Sequence, residues 1–379
     1  MDNSFSIFGL TLEQTKVLFS LQKQLIVDDI VNKTPAFYKN RMGRNENRNK
    51  TVNDVLKSFN LGKKRIRPFK SSEDLSNELY DVISAKRNWA ITWEENLKEY
   101  LRGINHGLEI NLYSSMNEIK YEIQRLNELI DNSFWKYLVL LECCTFSPYF
   151  PKDKQRSDYN VLKKCELFDN SDSLIYFSEL LGIESKYVEL FRTDHDKAIK
   201  RLSGFWKKMA ISTGIGIAAA LASIILFQPY VLFAAPGLSG AAAVTSGLAT
   251  LGGGAIAAGG FGMAGGMAVV IGGGALLGVG AGSSAGVMIA KMSAGAVLSE
   301  SAKMEVILKD IVLGAQKDIR CFQEILIKIT QQEQQLREEI IHLQIEGAKY
   351  KKEIEDLEKK LDYLEKLVVG SRTYSCIKT

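Results

Sequence analysis

The chain has 379 residues, 46% of them hydrophobic and 24% charged, with a formal net charge of +4. That length suits two or three domains or one elongated helical body, and the near-neutral balance excludes a chain-wide electrostatic signature for nucleic acid. Five cysteines without metal-ligand spacing, behind an opening "MDNSFSIFGL" with neither a basic region nor an apolar core, predict reduced thiols and synthesis in the cytoplasm without a signal peptide.

Residues 1–205 read as a soluble helical domain. "LTLEQTKVLFSLQKQLIVDDI" opens with Thr11 and Gln14, a capping-box spacing. "RMGRNENRNK" reads as a polar loop within a basic stretch, 39–70, that holds eleven Lys or Arg against Glu46 and Asp54. Three readings of this stretch stay open: a solvated loop, a contact for anionic lipid centred on Lys63, Lys64, Arg65 and Arg67, and a nucleic-acid contact. "SSEDLSNELYDVISAKRNW" has Ser72 as its cap, and "YSSMNEIKYEIQRLNELIDNSFWKYLVLLECC" reads as one long amphipathic run with Met116, Ile119, Ile123, Leu126 and Ile130 on a face. Further helices are expected near Ser171–Leu181 and Ser185–Lys208, the second running directly into a stretch of very different composition.

This stretch is 82 residues, Met209 to Ala290, without one Asp, Glu, Lys, Arg or His, and with twenty of the chain's 31 glycines. A globular stretch of that length carries roughly 20 charges. A flexible linker pairs glycine with polar residues, whereas the partners here are Ala, Leu, Ile, Val, Met and Phe. Gly260, Gly262 and Gly265 match G-x-G-x-x-G, but no acidic residue occurs after them before Glu300, so the match carries no dinucleotide chemistry. The remaining reading is a membrane segment over 206–298. "MAISTGIGIAAALASIILFQ" is long enough for one span, Pro229 and Pro236 bracket a break, and two or three shorter spans fit beyond Gly240. The small residues Gly254, Ala258, Gly262, Gly266, Gly274, Gly278, Gly282 and Gly286 recur in steps of four, with Val270 interrupting the row, and permit close helix packing in lipid. Lys197, Lys200, Arg201, Trp206, Lys207 and Lys208 form a basic, aromatic flank of the kind found at a cytoplasmic interface.

Residues 299–379 carry a heptad. With Ile319 at position a, thirteen of fifteen a and d sites to Val368 are apolar or aromatic, Leu336, Ile340, Leu343, Ile354, Leu357, Leu361 and Leu364 among them. This predicts one long amphipathic helix that either self-associates or packs on the N-terminal helices. Gly347 is its weak point.

Chemistry finds little footing. Cys143–Cys144 beside Leu140 and Leu141 read as core thiols, and Asp194, His195 and Asp196 read as a helix cap before a basic face. The sequence therefore predicts no catalytic, cofactor or metal site. "GLSGAAAVTSGLATLGGGAIAAGGFGMAGGMAVV" with "GSSAGVMIAKMSAGAV" resembles the glycine/alanine-rich membrane region of the interferon-inducible 6-16 family and related bacterial segments. Long helices around one apolar insertion are similar in architecture to the helical-bundle (alpha) pore-forming toxins, although those carry a much shorter apolar tongue. The expectation is an all-α protein with a soluble N-terminal helical domain, Gly/Ala-rich multi-span membrane helices and a long C-terminal coiled-coil-like helix. It would act as a membrane effector, a bacterial toxin or an antiviral defence effector, that oligomerises and permeabilises the inner or plasma membrane. The alternative is a constitutive membrane-anchored scaffold recruiting a protein partner through the C-terminal helix.

Overall fold

The structure, a computed structural model, describes residues 9–58, 70–104, 111–130, 132–149, 158–162, 164–165, 167–204, 269–270, 276, 289–290 and 294–377. The expected packing residues Gly254 to Gly286, the interface residues Trp206, Lys207 and Lys208, and the basic residues Lys63, Lys64, Arg65 and Arg67 lie outside this set. The described regular structure is helical, apart from a two-residue antiparallel ladder pairing β1 (Gly9–Leu10) with β2 (Val269–Val270). None of the described helices is long and apolar enough to cross a membrane.

The chain divides into two compact units, Met1–Gln22 with Glu95–Phe146 and Ser173–Thr379, and Lys23–Glu94 with Ser147–Asp172. Helix α1 (Leu12–Asp28) starts where the capping box predicts: the Thr11 N–H donates to Gln14 Oε1 at 2.9 Å and the Gln14 N–H to Thr11 Oγ1 at 3.3 Å. A π-helical turn, Asp29–Lys33, joins α1 to α2 (Thr34–Ser58) without a break. The widened turn falls just before Pro35, which has no N–H to continue an α ladder. "RMGRNENRNK", expected as a loop, is thus helical. Two of its polar residues pair with neighbours: Asn45 donates to the Lys70 carbonyl at 3.2 Å, and Arg41 reaches Glu78, as Tyr38 does one turn earlier.

Helix α3 (Ser72–Ile104) is capped one residue earlier than expected, by Ser71, whose Oγ accepts from the Asp74 N–H at 3.1 Å while Asp74 accepts in return. The core of the second unit, with Leu25, Ile26, Leu75 and Trp93 buried, also holds a polar node. Asp29, 2% exposed, accepts from Lys86 Nζ and Tyr149 Oη, both at 2.7 Å, and from the Phe168 N–H at 3.0 Å. Lys86, fully buried, also donates to Thr34 Oγ1 at 2.9 Å and lies over the rings of Tyr149 and Phe168. A buried charge persists only when paired and hydrogen-bonded, and here the first residue of the π turn supplies the carboxylate.

In the first unit the expected long run is two helices, α4 (Met116–Leu129) and α5 (Phe134–Cys144). Asn132 Oδ1 accepts from the Phe134 N–H at 2.8 Å, a local turn that competes with helix continuation. Ile119, Ile123 and Leu126 are buried as the periodicity requires. After α6 (Tyr159–Leu162) and α7 (Ser171–Leu181), α8 (Lys186–Leu202) stops six residues short of Lys208, because the Ser203 hydroxyl bonds back to the Ile199 carbonyl at 2.6 Å and Gly204 comes next. Asp194, His195 and Asp196 therefore lie inside a helix, where the sequence placed a cap.

The C-terminal region departs furthest from expectation. Helix α9 (Ala294–Val306) continues as a ten-residue π-helical stretch, Ile307–Gln316, and Lys317 in the left-handed region returns the Asp318 N–H to the Val312 carbonyl. Asp318 caps α10 (Ile319–Glu346), and a single turn, Ala348–Tyr350, leads into α11 (Lys351–Ile377). The predicted single long helix is a hairpin. Gly347, at φ 109° and ψ −177°, occupies a conformation closed to other residues and reverses the chain. Leu336, Ile340, Leu343, Leu357 and Leu364 are buried in its packing, and Ile354 and Leu361 are half-buried. Ile319, the first heptad position, is 58% exposed, because the buried row runs through Phe322, Ile325 and Ile329 instead.

Candidate functional site

The place with most bearing on the charge-free segment is its base, where α8 enters it and α9 leaves it. These helices pack side by side, and α11 packs on both. Two cross-links set their direction. Arg201, at the end of α8, pairs with Glu305, while Asp194, two turns earlier, pairs with Lys309. The residue numbers rise on one helix as they fall on the other, so α8 and α9 are antiparallel. These pairs set the direction alone; α11 brings the edges of the segment near each other, through lysines six residues apart on Leu202 and Ala290.

Helix α11 binds both edges. Lys366 Nζ donates to the Leu202 carbonyl at 3.1 Å and to Asp362 Oδ2 at 2.5 Å. Lys360 Nζ donates to the Ala290 carbonyl at 2.7 Å, and pairs with Asp356 at the same distance with its own side chain only 3% exposed. Leu202 is the last residue of α8, where carbonyls lack intrahelical donors and a lysine is the favoured cap. Arg201 adds a third tie, donating to the Lys366 carbonyl at 2.8 Å. Gly370 makes room for it: a Cβ there would sit 2.7 Å from the guanidinium carbon. Tyr374 Oη donates to Glu305 at 2.6 Å and closes the ring of contacts.

Below this base the charges are largely buried. Lys303 bridges Glu142 of α5 at 3.0 Å and Glu300 at 3.2 Å, each of the three side chains 12–13% exposed. Burial alone would lower the Lys303 pKa, but the two carboxylates outweigh it and raise it. Burial likewise opposes ionisation of Asp194, and Lys309 with Lys197 holds its carboxyl below the usual range. His195 has no such partner. Burial, with Lys303 nearby, lowers its pKa to about 3, and its Nε2 has no hydrogen-bond partner among the described residues.

Of the expected basic flank, Arg201 pairs with Glu305 and Lys197 with Asp194, while the Lys197 and Lys200 side chains both stay exposed. Lys360 and Lys366 were missed in the sequence, since nothing in "KKEIEDLEKKLDYLEKL" separates them from the other lysines. Cys143 is buried, and burial pushes the Cys144 thiol up to about 12, away from thiolate chemistry. Among the described residues no group of His, Cys, Asp and Glu has the spacing to hold a metal ion. Comparisons with protein-family models, with curated proteins and with solved structures find no match.

Proposed function

We propose that the chain is a membrane-inserting effector that oligomerises and permeabilises or depolarises a bilayer. One observation carries this reading: 82 residues without a charge are tied at both edges to one helix, by Lys366 on the Leu202 carbonyl and Lys360 on the Ala290 carbonyl. The lysine ties of α11 hold the segment's edges until lipid competes for it. Within lipid, the small residues from Gly254 to Gly286 bring helices into close contact. Polar lining would come from backbone and from Thr245, Ser246, Thr250, Ser283 and Ser284, a composition suited to unselective leakage. The basic stretch around Lys63, Lys64, Arg65 and Arg67 contributes attraction to anionic headgroups. No catalytic step belongs to this reading.

The test is release of a self-quenching dye from phosphatidylcholine/phosphatidylglycerol vesicles, comparing the wild-type chain with Gly266→Leu/Gly274→Leu/Gly278→Leu. Release by the wild type and its loss in the variant, with both co-floating with vesicles, is the expected result. Co-flotation without release in either would sink the permeabilising role and leave an anchored scaffold.

A further inference from the structure

Helix α10 carries two apolar faces, and the hairpin covers only one. Ile319, Ile327, Ile341 and Ile345 are 58%, 58%, 55% and 80% exposed. At about 100° per residue all four fall within an arc of about 80°, roughly 140° round the helix from the buried row of Phe322, Ile329, Leu336 and Leu343. Gln323, Thr330 and Gln334 fill the same arc, so between Ile319 and Ile345 its one charge is Arg337, at the edge and paired with Glu333 and Glu365. Scattered surface isoleucines need no explanation; four in line over about 39 Å of helix do.

The arrangement of this face is palindromic. Ile319 and Ile345 are equidistant from residue 332, and Ile327 and Ile341 from residue 334. Charges on one flank centre between these two positions, on residue 333, with opposite signs: Arg320 mirrors Glu346 and Lys328 mirrors Glu338. Two antiparallel helices related by a two-fold axis perpendicular to both present the same flank to each other, so residue i meets its mirror j and j meets i. In that geometry each of the four isoleucines lies within two residues of the mirror position of another, about 3 Å along the helix, and the two flank pairs join opposite charges. Arg320 with Glu324 and His342 with Glu346 also pair within the helix, and the mirrored pairs lie alongside them. We propose that the exposed isoleucine face of α10 is a homodimer interface, in which two copies of the chain pair α10 antiparallel about a two-fold axis at Glu333. The pairing leaves the α10–α11 hairpin intact and does not depend on the membrane reading.

The experiment is analytical ultracentrifugation of the full chain over a concentration series without lipid. The wild type is expected to dimerise. Ile327→Glu/Ile341→Glu is expected to be monomeric at every concentration, with an unchanged helical circular-dichroism signal because both sites are exposed. Lys328→Glu, which places like charges opposite each other twice per dimer, should weaken association by about tenfold or more, and Lys328→Glu/Glu338→Lys should restore it. A monomeric wild type, association indifferent to these changes, or failure of the double reversal to restore it would each overturn the proposal. Self-association through the apolar segment gives the indifferent result, so it is distinguished, and vesicle leakage plays no part in the readout.

Discussion

Lys360 and Lys366, six residues apart on α11, each donate to a backbone carbonyl at an opposite edge of the charge-free segment, Ala290 and Leu202. One helix therefore reports on both edges. A hydrogen bond from a charged donor is worth about 1.5–3 kcal/mol. Lys360→Met/Lys366→Met is expected to loosen both edges. Limited proteolysis should then cut faster around 203–208 and 286–293, while near-ultraviolet circular dichroism stays close to that of the wild type. Unchanged cleavage rates would mean that the ties do not hold the segment's base.

Removing one partner of the Lys86–Asp29 pair is expected to cost the second unit about 3–5 kcal/mol, because Asp29 and Tyr149 would keep their burial without the ammonium. Lys86→Met should lower the urea midpoint followed by Trp89 and Trp93 fluorescence. Lys86→Met/Asp29→Leu should recover part of that loss. A single variant as stable as the wild type would contradict the burial described.

His195 makes stability fall with acid. Its folded pKa, about 3, lies below the ordinary histidine value of 6.5. The stabilising contribution is thus complete above pH 6.5 and declines as the pH drops toward 3, because only the unfolded chain takes the proton. At pH 5 the loss is about 2 kcal/mol relative to pH 7.5. The difference between urea midpoints at those two pH values should shrink in His195→Leu. An undiminished difference would assign the acid sensitivity elsewhere.

Gly347→Ala should destabilise the C-terminal hairpin by about 1–3 kcal/mol through backbone strain alone, since nothing lies within 4 Å of the added carbon. The measurement is the thermal midpoint, with Gly43→Ala, also in open space but without a positive φ, as a control expected to hold or gain stability.

Helix content was legible in the sequence wherever a local pattern decided it. The Thr11–Gln14 box begins α1, and the spacing of Ile119, Ile123 and Leu126 selects the buried face of α4. Helix ends were harder. Ser203, Asn132 and Gly347 stop helices through hydroxyl, amide and backbone geometry that a hydrophobic period does not register. The heptad named most of the hairpin core, yet a single rod and a folded hairpin share the same apolar residues, so the period alone did not separate them. The lysine ties were invisible for a different reason: their acceptors are backbone carbonyls, which every residue has.

The adjoining of the two segment edges also has an entropic side. The base folds as though the intervening stretch were a loop closed by α8 and α9, and closure entropy grows only with the logarithm of loop length. Replacing 82 residues by eight polar ones would change that cost by about 2 kcal/mol. Closure entropy thus leaves the length of the stretch loosely constrained, whereas the pairing of Val269–Val270 with Gly9–Leu10 and the burial of Leu276 and Ile289 tie its sequence to the rest of the unit.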